Sequence, residues 1–117
     1  MLEIKNEELR LSVTVKGKKK TYVQSKIPMK RVLEYSEGEI DLFAKAIEEG
    51  REGATENEVL DFRIGFVAKL FDDDDVTKEM LLEELDANEK EVVFDIINYR
   101  VLGNEKNDAV SGTDPKD

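Results

Sequence analysis

Leu9-Arg10-Leu11-Ser12-Val13-Thr14-Val15, then Lys16-Gly17-Lys18-Lys19-Lys20, then Thr21-Tyr22-Val23-Gln24-Ser25, is the stretch on which the fold class turns. Leu9, Leu11, Val13 and Val15 alternate with polar side chains, the period of two that buries one face of a strand. The second run has the β-branched and aromatic content of a strand. With Gly17-Lys18-Lys19 as the loop, Val13 is expected opposite Val23, Leu9 opposite Ile27 and Val15 opposite Thr21, so that the apolar side chains share a face. A two-residue loop would misplace them. One detail disagrees: three-residue loops usually put glycine last, and here it comes first. Gly17-Lys18-Lys19-Lys20 has the look of a phosphate-loop fragment, but no spaced glycine precedes it and no helix follows. Lysines on a strand pair serve to discourage edge-to-edge aggregation instead.

Downstream the apolar period becomes helical. Pro28 suits a first helical turn, and Met29, Val32, Leu33, Ser36, Ile40, Phe43, Ala44 and Ile47 form one amphipathic stripe ending at Gly50. Gly38 lies inside this span, and Ser36 with Glu39 has the form of a capping box, so the helix is expected to break and restart near Ser36. Thr55 and Glu58 open a second helix through about Phe71. Its two apolar stripes, Val59, Phe62, Phe66 and Leu70 beside Leu60, Ile64, Val67 and Phe71, mark it as the central core helix. Thr77 caps a short helix through Leu85, packed by Met80, Leu81 and Leu85. Asn88 with Glu91 is a further capping box, for a last helix to about Leu102 that stops at Gly103-Asn104. The expected fold is α+β, an N-terminal β-hairpin followed by a mainly α-helical bundle of four to five helices. It forms a single domain over residues 1–104, with a disordered polar tail over 105–117.

Composition narrows the function. A chain of 117 residues holds one core, and no apolar run approaches the ~20 residues of a membrane-spanning helix. Met1-Leu2-Glu3-Ile4-Lys5 has neither an apolar signal core nor a cleavage pattern, so the expected location is the cytoplasm. With neither cysteine nor histidine, thiolate and imidazole chemistry are both excluded, disulfides and His-metal sites included. No enzyme activity and no cofactor are expected. Asp72-Asp73-Asp74-Asp75 draws the eye as a calcium loop, but Val76 stands where an oxygen ligand belongs and Thr77 where glycine makes the turn. It reads as a solvated loop whose charge favours the N-terminus of the next helix.

Net charge is −10, unevenly placed. Residues 1 to 31 hold nine basic side chains against three acidic ones, a net +6, which leaves −16 for the remainder. A body that negative repels phosphate backbones, so nucleic acid is not an expected partner, and neither is a membrane. The last helix is richer in apolar residues than one core-facing stripe needs. Val93, Ile96 and Ile97 suffice for the core, leaving Val92, Phe94, Tyr99 and Leu102 either as partner-binding side chains or as residues covered by a second helix of the same domain.

The basic hairpin, the Ile27-Pro28-Met29 lead into helices, the segment Asp75-Val76-Thr77-Lys78-Glu79-Met80-Leu81-Leu82-Glu83-Glu84-Leu85-Asp86-Ala87-Asn88-Glu89, the final apolar helix and the short polar tail occur in one order. Over residues 9 to 104 this arrangement resembles the tail assembly chaperones of long-tailed bacteriophages, of the siphovirus and prophage type from Gram-positive hosts. The resemblance implies a protein that coats the tape-measure protein and keeps it soluble until tail-tube subunits polymerise around it, and that is absent from the mature virion. It also implies a longer, frameshifted form that recruits the tail-tube protein, with the polar tail near that site. Self-association as a homo-oligomer stays open. The rival reading is an acidic DNA mimic that inhibits a DNA-binding protein. Rows of charge would be needed for that, and Lys45, Arg51, Arg63, Lys69 and Lys78 interrupt them.

Overall fold

The computed structural model describes residues 1–104, and the polar tail expected over 105–117 lies outside the described residues. Strands β1 (Leu2–Lys5), β2 (Glu8–Val15) and β3 (Lys18–Gln24) form one antiparallel sheet with β2 in the middle. Helices α1 (Lys30–Glu48), α2 (Glu56–Leu70) and α3 (Lys78–Glu84) follow. The last helical stretch opens with a 3-10 turn over Ala87–Glu89, continues as α4 (Lys90–Asp95) and ends in a π-helical turn over Ile96–Val101. The fold is α+β, as expected, with one strand more than a hairpin.

The hairpin register differs from the expectation. Both strand connections are two-residue loops with positive φ at both positions, Asn6 and Glu7 at 52° and 66°, Lys16 and Gly17 at 53° and 78°. This is the type I′ geometry, whose twist matches that of the flanking strands, and it overrides the pairing that apolar content suggests. Val13 lies opposite Lys20, Leu11 opposite Tyr22 and Leu9 opposite Gln24, not Val23, Ile27 or the other partners expected. Val15 faces Lys18 instead of Thr21. The misplacement costs little because β1 brings Leu2 against Leu11 and Ile4 against Leu9. β3 is an edge strand, Val23 is exposed, and Lys18, Lys19 and Lys20 lie exposed along it, where unpaired backbone would otherwise invite another strand.

Helix α1 does not break at Ser36. It runs unbroken for 19 residues, and Gly38 sits inside it where the Phe62 ring of α2 packs. A Cβ at Gly38 would lie 2.7 Å from Cε1 of Phe62, so the glycine makes room for an aromatic ring. Phe62 and Phe66 then pack on Tyr35, ring centroids 5.3 and 5.1 Å away, the second edge-on. Helix α2 is the central helix anticipated from its two stripes. Thr55 and Glu58 form the expected capping box, and Phe66, Val67, Ala68 and Leu70 are buried. Thr77 caps α3 through the amide of Met80.

One core joins the sheet face (Leu2, Leu9, Leu11, Val13) to α2 and to Val93, Ile96, Ile97 and Val101 of the last stretch. Polar clamps hold the two ends of the chain together across it. The capping box at the last stretch is Asp86 with Glu89, not Asn88 with Glu91, because a 3-10 turn over Ala87–Glu89 moves the cap two residues earlier than expected. Glu89 accepts from the Asp86 amide with one oxygen and from the Leu2 amide with the other, each at 2.8 Å. Arg100 donates to the carbonyls of Glu7 at 2.8 Å and Ser25 at 2.9 Å. At the α1–α2 corner Arg51 grips both Glu58 oxygens at 2.6 and 3.1 Å.

Two outcomes follow. Phe66→Ala removes a buried ring from the centre of the core and is expected to cost about 3–5 kcal/mol, read as a large fall in the urea midpoint. The Arg51 hydrogen bonds, with the Thr55 amide, hold the Glu58 carboxyl down to about 2 from an ordinary 4.5. A carboxyl depressed in the folded state contributes stability that is present above 4.5 and lost as pH falls towards 2, so Glu58→Gln is expected to flatten the loss of stability across that window in pH-dependent urea titrations.

Candidate functional site

Among the described residues no group of three or more His, Cys, Asp or Glu side chains is placed to hold a metal ion, and Asp72 to Asp75 are all exposed on the loop before α3. The perturbed groups serve the α1–α2 contact. Burial pushes the Tyr35 hydroxyl up, and its hydroxyl donates to Glu39 at 3.0 Å while accepting from Arg63 at 3.4 Å. The Arg31 guanidinium, 2.7 Å away, draws the Glu34 carboxyl down, helped by Lys69. What the molecule offers is apolar surface.

The four candidates on the last helical stretch lie in different places. Val93, Ile96 and Ile97 point into the core, as their spacing suggests, which turns the remaining side chains towards both flanks. Phe94, about half-exposed at 47%, sits in an open cleft of about 780 Å³ between α2 and α4, with Val59 and Leu60 beside it. The Arg63 guanidinium lies over the Phe94 ring, 5.4 Å from its centroid, a cation-π contact that ties the ring to α2. Val92 and Tyr99, both half-buried, line a second cleft of about 640 Å³ alongside Ile4 of β1. Leu102 is 47% exposed where the chain leaves the π turn. The Leu102 amide donates to Ile97 at 2.8 Å, and beyond it Asn104 donates to Asn98 at 3.0 Å around Gly103, whose φ is +75°. The four residues therefore form two clefts and a terminus, not one patch.

A larger apolar surface is on α1. Its fully buried side chains are Tyr35 and Ala46 alone, and the stripe that reads from sequence as the core face points to solvent. Met29, Leu33, Ile40 and Ile47 are between 61% and 77% exposed, and Phe43 is 38% exposed. Helix α1 carries two stripes, and packing selects the one with small residues, the buried Ala46 and Gly38, the latter where the Phe62 ring of α2 packs. Spacing alone showed the exposed stripe and could not show which way it faced.

Scanned against protein-family models, residues 2–116 match a family described as phage tail chaperone protein. No curated protein and no solved structure matches the chain.

Proposed function

Because the chain belongs to the phage tail chaperone family, we propose that it binds the tape-measure protein in the host cytoplasm and keeps it soluble while the tail is assembled. The observation that carries this reading is the half-exposed Phe94 in an open cleft between two helices. An amphipathic client helix seats its apolar side chains in such a groove. Arg63, Lys90 and Glu91 line the same cleft, and they supply polar contacts of both signs to fix the client's orientation. Val92 and Tyr99 offer a second, separate grip in the cleft beside β1, and Leu102 adds exposed apolar surface at the end of the last helical stretch.

The acidic surface suits this work. Many copies on one long client stay apart and in solution when each carries −10. No step of this role requires covalent chemistry, and the chaperone leaves before the virion is complete. A longer form of the chain would bring in the tail-tube protein.

Phe94→Asp together with Leu102→Asp is expected to leave the urea midpoint nearly unchanged, both side chains being about half in solvent, and to lower the soluble tape-measure protein recovered on co-expression by about tenfold. Undiminished recovery would place the client on another surface.

A further inference from the structure

The two edges of the sheet are not alike. On β1 the amide of Leu2 is taken by the Glu89 carboxylate. On β3 the outward groups have no such partner. Ser12, in the middle strand, gives both its amide and its carbonyl to Met1, so Thr21 opposite it has no backbone bond to β2. Bonded and non-bonded pairs alternate along an antiparallel ladder, and Lys19 and Val23 therefore share the position of Thr21, with N–H and C=O turned away from the sheet. No other described backbone group bonds to these three residues. Charge is as unevenly placed as the hydrogen bonds. Residues 9–33 hold eight basic side chains and no acidic one, in a chain with 28 acidic residues. Lys18 and Lys20 lie opposite Val15 and Val13 on the core-side face of the sheet, and Lys19 lies opposite Thr14 on the other face. All three are exposed, and among the described residues none of them enters an ion pair. At the far end of the strand the Asp72 amide donates to the Gln24 side chain at 3.1 Å, which holds the exposed Asp72 to Asp75 loop beside β3. The open edge is thus positive near the turn and negative near Gln24.

We propose that the β3 edge takes up an extended acidic segment of another protein as an added strand. The main chain of that segment bonds to the outward groups of Lys19, Thr21 and Val23, which supplies affinity without regard to sequence. Side chains supply the selection. Lysines stand on both faces of the edge, and successive side chains of a strand point to opposite faces, so the segment needs adjacent acidic residues and not alternating ones. Its other end runs past Thr21 and the 47% exposed Val23, where β-branched side chains pack, and the Asp72 to Asp75 loop turns carboxylates away from that end. The same three lysines repel a basic strand and leave a neutral one with unpaired charge beside it, so protection against indiscriminate pairing and preference for an acidic strand have one cause. No residue of β3 lines the Phe94 cleft or the cleft beside β1, and the edge is therefore an interface separate from the one proposed for the tape-measure protein.

Titration of the full chain with a peptide blocked at both ends, Asp-Glu-Asp-Thr-Val-Thr, followed by amide NMR and hydrogen exchange, tests the proposal. The expected result is binding at roughly 10–100 µM that weakens about tenfold between about 0.05 and 0.2 M NaCl. Exchange of the Lys19, Thr21 and Val23 amides slows on binding, while the Lys20 and Tyr22 amides, already in the ladder, change little. A peptide of equal charge with alternating acids, Asp-Thr-Asp-Val-Asp-Thr, binds about tenfold more weakly. Thr21→Pro removes one outward amide at an edge position that tolerates proline, and is expected to keep the circular dichroism and weaken binding at least about tenfold with every lysine in place. Thr21→Ala, which keeps the amide, binds as the parent does. Lys18→Glu, Lys19→Glu and Lys20→Glu combined abolish binding. Binding that Thr21→Pro leaves unchanged, or that slows no exchange at the three amides, is plain ion attraction and overturns the proposal. So does an oligothymidylate that displaces the peptide at equal strength, which would assign the lysines to nucleic acid. Slowed exchange at the same amides without peptide, growing with chain concentration, would give the edge to a second copy, and no binding up to about 1 mM would leave it without an acidic partner; either result overturns the proposal.

Discussion

The sheet cannot stand without the last helical stretch. Three short strands with one apolar face are marginal in water, and here that face, led by the fully buried Leu9 and Leu11, shares a core with Val93, Ile96, Ile97 and Val101 from the far end of the domain. Contacts across so long a sequence separation need fixing in angle as well as in depth. Glu89 supplies this at β1, where one carboxylate both caps its own turn and accepts from Leu2. Arg100 supplies it at the other edge, spanning the β1–β2 turn and the end of β3. The π-helical turn that contains Arg100 follows from the same demand. Widening the helix there keeps Ile96, Ile97 and Val101 all buried, and the Leu102 amide reaches back five residues to Ile97.

Helix α2 occupies the middle and leaves α1 outermost. The aromatic trio of Tyr35, Phe62 and Phe66 and the Gly38 gap make the α1–α2 contact close but narrow. A narrow contact is the reason α1 and its N-cap Met29 keep five large apolar side chains exposed. In an ordinary monomer such a face is a liability. Around it α1 carries Glu34, Glu37, Glu39, Asp41 and Glu48, whose charge offsets the exposed apolar area.

Apolar surface thus falls into two kinds. The Phe94 cleft is mixed in polarity, with the Arg63 guanidinium over the ring. The α1 stripe is a run of exposed apolar side chains along one helix.

Much was legible from residues alone. Alternation in β2, the caps at Thr55 and Thr77, the double stripe of α2 and the stop at Gly103 are local signals, each written within a few residues, and the structure keeps them. Leu2 and Ile4 also alternate, but four residues are too few to separate a strand from an irregular start until Leu11 and Leu9 are seen beside them. Local pattern determined where strands and helices form, what chemistry the chain lacks and how charged it is, because backbone propensity, side-chain period and ionisation act over a turn or a strand. Only tertiary packing decided the hairpin register, the unbroken α1 and the outward turn of its apolar stripe. Each of those depends on how closely two distant backbones can approach, set by a two-residue turn in one place and by the missing side chain of Gly38 in the other.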